Sequence, residues 1–268
     1  MAKQPGKKTT AMTKWDAKLA EMAAKAAANE VTSGGNVIGT QGGRLRYKGA
    51  DIPENKMRVV IIDKIFANLY YEGVFDPSSP ASPACYAYGR EEEGMAPHDD
   101  SPNKQGEDCA SCSQNEWGSA DRGKGKACKN TRRLAVLAES DLGEDILQAE
   151  EAYVHVPVTS VKAWAGYVRQ LESTLHRPPL AVVTEIALVP DDDVQFRMTF
   201  KTVEQIDDGD VLEALTQKAE AVSKVIEFPY VQITPAEKPA RGNRRSAPPP
   251  ARGRQAAPAA KKKPAKFA

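Results

Sequence analysis

Apolar positions in this chain gather into short β-branched runs and a few amphipathic stretches, separated by segments rich in Gly, Pro, Asn and charge. Met57 to Ile62, continuing through Ile65 to Tyr71, predicts a first, bent strand, because β-branched and aromatic residues favour extended backbone. Leu134 to Ala138 predicts a second strand and Ala152 to Val158 a third. Ser160 is suited to cap a helix on which Val161, Trp164, Ala165, Val168, Leu171 and Leu175 share one face, and Pro178-Pro179 ends the pattern. Leu180 to Val189 and Val194 to Val203 predict two further strands joined by a hairpin loop at Asp191, Asp192 and Asp193. Asp207, Asp208 and Asp210 mark the start of a last helix with Leu212, Leu215, Ala219, Val222 and Ile226 along one side.

Strand, strand, strand, helix, strand, strand is the element order of an OB-fold, a partly open five-stranded barrel. The expected fold class is therefore α+β: a mainly β, five-stranded OB-like barrel over residues 57–206, with a cysteine-rich insertion at 76–130 and a C-terminal helix at 207–229. Ahead of it, Trp15, Leu19, Met22, Ala23 and Ala26 recur at helical spacing after Thr13, opposite Lys14, Lys18 and Lys25. A basic amphipathic arm within residues 1–30 and a Gly-rich linker at 31–56 are expected. Residues 230–268 form a Pro/Ala-rich basic tail with too few apolar groups to offset the entropy of ordering, and disorder is expected there.

Charge sharpens that division. The net charge of +1 conceals ten Lys or Arg and no acid from Lys238 onward, which leaves residues 1–237 at about −9. A tail of this kind binds phosphate by counterion release or simply solubilises the body. No stretch reaches the length of a membrane span, and Met1 to Lys8 has no apolar h-region, so a reducing, cytoplasmic setting without membrane contact is expected.

The four cysteines fall together as Cys85, Cys109, Cys112 and Cys128, with loops of 23 and 15 residues on either side of the CxxC turn. That spacing suits one tetrahedral Zn2+. Disulfides and unligated thiols are the competing readings, and His98 is the substitute ligand should one cysteine be free. A Gly-Lys-Gly-Lys run at 123–126 leads into Cys128, and from Trp117 to Arg133 six cations, Arg122, Lys124, Lys126, Lys129, Arg132 and Arg133, face one acid. Tyr70, Tyr71, Phe75 and Trp117 supply candidate faces for splayed bases, so cations and aromatics for single-strand binding are both present. Tyr70 and Tyr71 point to opposite faces of a strand, so one of them belongs to the core; Trp117 either stacks on bases or packs over the metal module. Glu91 to Glu93, Asp99-Asp100 and Asp191 to Asp193 place negative charge on loops, which restrains non-specific binding or docks the basic tail. No GxSxG, HExxH or Rossmann fingerprint is present, and four cysteines leave a zinc ion no open position for water, so no enzymatic activity is expected.

In its cysteine cluster and in the element order from Met57 to Val203, the chain resembles the zinc-containing single-stranded-DNA-binding proteins of tailed bacteriophages. The resemblance is architectural. It implies a protein of DNA replication, recombination or repair in the host cytoplasm or nucleoid, binding single-stranded DNA or RNA, self-associating through its N-terminal arm and meeting replication or recombination proteins. The basic tail departs from the acidic one usual in such proteins. The alternatives are a zinc-stabilised transcription-associated or regulatory protein that binds duplex DNA or RNA polymerase, and a structural protein that condenses nucleic acid.

Overall fold

The computed structural model describes residues 36–73, 81–121, 123–143 and 145–230, together with Trp15, Lys18, Leu19 and Met22, which are helical and exposed. The rest of the expected arm and the basic tail lie outside the described residues, as do Phe75 and Arg122. In chain order the strands are β1 (Val37–Ile38), β2 (Arg46–Tyr47), β3 (Ala50–Asp51), β4 (Lys56–Tyr70), β5 (Cys85–Gly89), β6 (Lys129–Ala138) and β7 (Ala152–Val156). Helix α1 (Val158–Leu175), β8 (Val182–Asp191), β9 (Gln195–Gln205) and helix α2 (Gly209–Ser223) follow.

Seven strands form one mixed sheet in the order β1-β7-β6-β4-β8-β9, with β5 also paired to β4; β2 and β3 make a separate hairpin. Only β1 and β7 run parallel. The 15-residue strand β4 organises the sheet. Lys56 to Val60 pair with β8 and Phe66 to Tyr70 pair with β5, while β6 runs along the other side from Val59 to Leu69. A register irregularity between Ile61 and Asp63 separates the two ends.

The expected OB barrel is not formed. The sheet is open, ending at β1 and β9, and it carries helices on both faces instead of closing five strands around one core. The cause lies in β4, where Val59, Val60, Ile61 and Ile62 are all buried although successive side chains point to opposite faces. Val59 and Ile61 pack with Leu134, Val136, Val154 and Ile186 in the core that holds Trp164, Tyr167 and Leu171 of α1. Val60 and Ile62 pack with Ala135, Leu137 and Val183 in the core that holds Leu215 and Val222 of α2. Strands covered on both faces read as unbroken apolar runs, and element order alone does not distinguish that arrangement from a barrel.

Three local expectations are also corrected. Helix α1 starts after Pro157, and Ser160 is instead buried, its Oγ accepting from the Met198 N–H at 2.8 Å. Residues 36–56, expected within a linker, belong to the fold: β1 extends the sheet, Leu45 is fully buried, and β2 and β3 turn through Lys48 and Gly49, both with the positive φ that a two-residue hairpin turn demands. Strand β5 lies inside the segment expected as an insertion and is part of the sheet. By contrast Asp208 caps α2 as its position suggests, accepting from the Asp210 and Val211 N–H groups at 2.9 and 3.2 Å. Among the described residues no helix is long and apolar enough to cross a membrane.

Candidate metal centre and nucleic-acid interface

Beyond β5 the chain folds back over the end of the sheet. The Met95 carbonyl accepts from the Cys109 N–H and the Gln114 carbonyl from the Cys128 N–H, both at 2.8 Å, tying two cysteines to fixed backbone. The turn from Cys109 to Cys112 is built by Asp108. Its Oδ1 accepts from the Ala110 and Ser111 N–H groups at 2.8 Å and its Oδ2 from the Ser111 hydroxyl, and these bonds hold the Asp108 carboxyl below its usual range. Cys85 sits opposite Tyr70 in the ladder, and Cys128 immediately precedes β6.

Cys85, Cys109, Cys112 and Cys128 all line one cavity of about 20 Å³, together with Asn68, Tyr70, Tyr86, Gln105 and Gln114. None is in a disulfide. Burial pushes the Cys128 thiol up to about 12, and the nearby Cys109, Cys112 and Cys85 push in the same direction; Cys109 is raised chiefly by burial, against a hydrogen bond with Asn68. Among the described residues no group of three or more His, Cys, Asp or Glu side chains already stands in an arrangement that holds a metal ion. The donor set nonetheless fits zinc. Four soft donors share a space for little more than one water-sized sphere, and thiols that oppose one another's ionisation would ionise together around a divalent cation. His98 is not among the lining residues: its ring stacks on Tyr86 with centroids 5.1 Å apart, and its Nδ1 accepts from the Asp100 N–H at 3.1 Å.

The loop from Cys112 to Cys128 brings part of the predicted nucleic-acid set together. Trp117 is 80% exposed, the most exposed large apolar side chain among the described residues, with Lys126 Nζ 5.8 Å from its ring centre. It does not cover the metal module. The loop closes on itself as the Gly125 carbonyl accepts from the Gly118 and Ala120 N–H groups. Lys126 donates to Asn115 Oδ1 at 3.2 Å; Lys124 and Lys129 are exposed, and Lys129 Nζ donates to the Lys126 carbonyl at 2.8 Å. Tyr70 is half-buried beside the cysteine cavity, and Tyr71 is exposed.

Arg133 must be withdrawn from the interface. Its residue surface is 0% exposed, and its guanidinium donates to the Ile226 and Phe228 carbonyls at 2.7 and 2.9 Å and to the Tyr88 hydroxyl. Rings of Phe228, Tyr88 and Tyr230 surround it at 4.0, 4.3 and 5.2 Å. No phosphate reaches such a group, which instead anchors the chain after α2. Arg132, its neighbour on the opposite face, is held over the Phe66 ring at 3.9 Å and paired with Glu92 at 2.7 Å. The Asp191 hairpin is likewise satisfied internally, with Asp191 on Arg197 at 2.8 Å and accepting from the Asp193 and Val194 N–H groups.

Lys64 and Phe66, which charge counting does not single out, stand beside Arg132. Lys64 Nζ lies 4.2 Å from the Phe66 ring centre, on the strand face shared with Arg132. The signal was present, since Lys64, Phe66, Asn68 and Tyr70 alternate with the buried Ile65, Ala67 and Leu69. No family model matches the chain, and no curated protein or solved structure matches it.

Proposed function

We propose that this is a non-enzymatic protein that binds single-stranded DNA during replication, recombination or repair, with one Zn2+ held by Cys85, Cys109, Cys112 and Cys128. Bound zinc would cross-link three chain segments, β5 at Cys85, the Cys109 to Cys112 turn and Cys128 just before β6. The observation that carries the reading is the exposure of Trp117 on a cysteine-anchored loop, with Lys126 Nζ 5.8 Å from its ring centre and the exposed Lys124 and Lys129 on the same stretch of chain. A flat aromatic face exposed near cations suits stacked bases on a phosphate chain. Of the resemblance to phage single-stranded-DNA-binding proteins, this reading draws on the cysteine cluster alone, since the barrel is not formed.

The test is fluorescence-detected titration of the zinc-loaded full chain with a single-stranded oligonucleotide and with duplex of equal length at matched salt. Preference for the single strand, reduced by Trp117→Ala, supports the reading. Equal affinity for both, unaltered by that substitution, would leave a charge-driven condensing protein in its place.

A further inference from the structure

Between α1 and the cysteine module, one patch of the sheet face carries two cations over a single ring. Arg132 and Lys64 lie 3.9 and 4.2 Å from the centre of Phe66. Arg90 approaches from the turn after β5, its NH1 on the Asp63 carboxylate at 2.6 Å, while Lys64 Nζ donates to the Arg90 carbonyl at 3.5 Å. Among the described residues Lys64 has no ion-pair partner, and burial together with Arg132 and Arg90 lowers its affinity for a proton. Three cations thus meet two carboxylates, Asp63 and Glu92, in a half-buried place where charge is poorly screened.

The two acids differ. Asp63 is largely covered and grips Arg90 through both of its oxygens. Glu92 is 68% exposed and makes its pair with Arg132, whose own side chain is only 12% exposed. Arg132 NH1 is committed to the Thr131 carbonyl at 2.9 Å, so the NH2 edge on Glu92 is the one that faces an incoming anion. A guanidinium stacked on an aromatic ring with one edge outward is a good receptor for a phosphodiester, and an exposed carboxylate is a weak, readily displaced substitute for one.

Building on the single-strand reading, we propose that Lys64 and Arg132, spread over Phe66, form a second phosphate subsite for the strand, and that Glu92 occupies it until a backbone phosphate replaces it. Phe66 serves as a platform for the cations and not as a base-stacking face, because the cations already cover it. Glu92 therefore raises the threshold for binding, since each engagement of Arg132 first breaks an internal pair.

The experiment compares the zinc-loaded full chain with its Glu92→Gln, Glu91→Gln and Arg132→Gln variants and the Glu92→Gln/Arg132→Gln double variant, titrated with labelled oligothymidylate at several salt concentrations after circular dichroism has verified folding. Glu92→Gln should tighten binding by about threefold at low salt and steepen the slope against log salt by about 0.7. Glu91→Gln removes the same charge from a residue without that contact and should change affinity less. Arg132→Gln should abolish the gain from Glu92→Gln in the double variant. If wild type binds the strand but Glu92→Gln behaves like Glu91→Gln, the subsite is wrong while the single-strand reading stands. If neither wild type nor Glu92→Gln binds, both fall. Binding that appears only in Glu92→Gln would support the subsite directly.

Discussion

The two ends of β4 show two ways of holding one strand. From Val59 to Ile62 every side chain is buried and both faces are covered by helices, so apolar burial dominates that end. From Lys64 to Tyr70 one face carries Lys64, Phe66, Asn68 and Tyr70, and its cover is a chain segment of turns, amides and thiols. There Asn68 Oδ1 accepts from Asn130 at 2.6 Å, Asn115 Oδ1 accepts from Asn130 and Lys126, and the cysteines share one cavity. An end stabilised by apolar packing tolerates loss of a surface ligand. An end stabilised by polar cross-links depends on each of them, and it is also the end able to present charge and an exposed ring to a partner.

The largest expected effect follows from that difference. Chelation, or Cys128→Ser, should open residues 95–128 while leaving the sheet beneath α1 and α2 folded, because metal binding contributes folding free energy only where its ligands lie. Amide hydrogen exchange should show lost protection over that segment and retained protection in Leu134 to Leu137. Uniform loss across both ends would break the distinction.

Next in size is Arg133→Met. The guanidinium bonds two carbonyls of the segment after α2 without a carboxylate partner among the described residues, and its loss should cost about 3 kcal/mol in chemical denaturation. Single-strand affinity of the folded protein should stay unchanged, in contrast to neutralising Lys124, Lys126 and Lys129 together. A substitution at Arg133 that weakened binding without destabilising the protein would return this residue to the interface.

His155 gives an effect that is negligible at neutral pH and grows as the solution is acidified. Burial, aided by the charge of Arg133, lowers its folded value to about 3, and its Nδ1 is sealed from solvent without a hydrogen-bond partner. Between about 3 and the ordinary value near 6.5 the unfolded chain takes up a proton that the folded protein refuses. Stability is then complete above about pH 6.5 and falls by up to about 1.4 kcal/mol per unit as pH drops below it. The difference between wild type and His155→Phe across pH 4–7 isolates this contribution from thiol protonation, and a pH-independent difference would contradict it. The smallest effect on the fold is expected from Trp117→Ala, which should weaken single-strand binding about tenfold, the loss of roughly one base stack, with little change in Tm.

At the apolar end the long strands and both helices were legible in the sequence, because β-branched runs and helical periodicity record local burial directly, whereas β1 and Leu45 lie in a Gly-rich stretch that reads as a linker. Its layering was not, since Val59 to Ile62 reads alike in a barrel and in a sheet covered twice. At the other end the cysteine spacing pointed to one site, yet charge counting could not separate Arg132 from Arg133, which face opposite sides of the same strand. Nor could it reveal β5, whose Tyr86 and Tyr88 sit between prolines and a glycine that suggest a loop. Those distinctions depend on ladder register and on partners 40 to 95 residues away.

The most direct test of a metal-held binding end is the salt dependence of single-strand affinity for the full chain with zinc and after chelation at constant ionic strength. Zinc-loaded protein should prefer the single strand over duplex, and chelation should abolish that preference while leaving weak, salt-sensitive attraction from the basic tail. Identical affinity, slope and selectivity in both states, with the apolar end folded throughout, would contradict it.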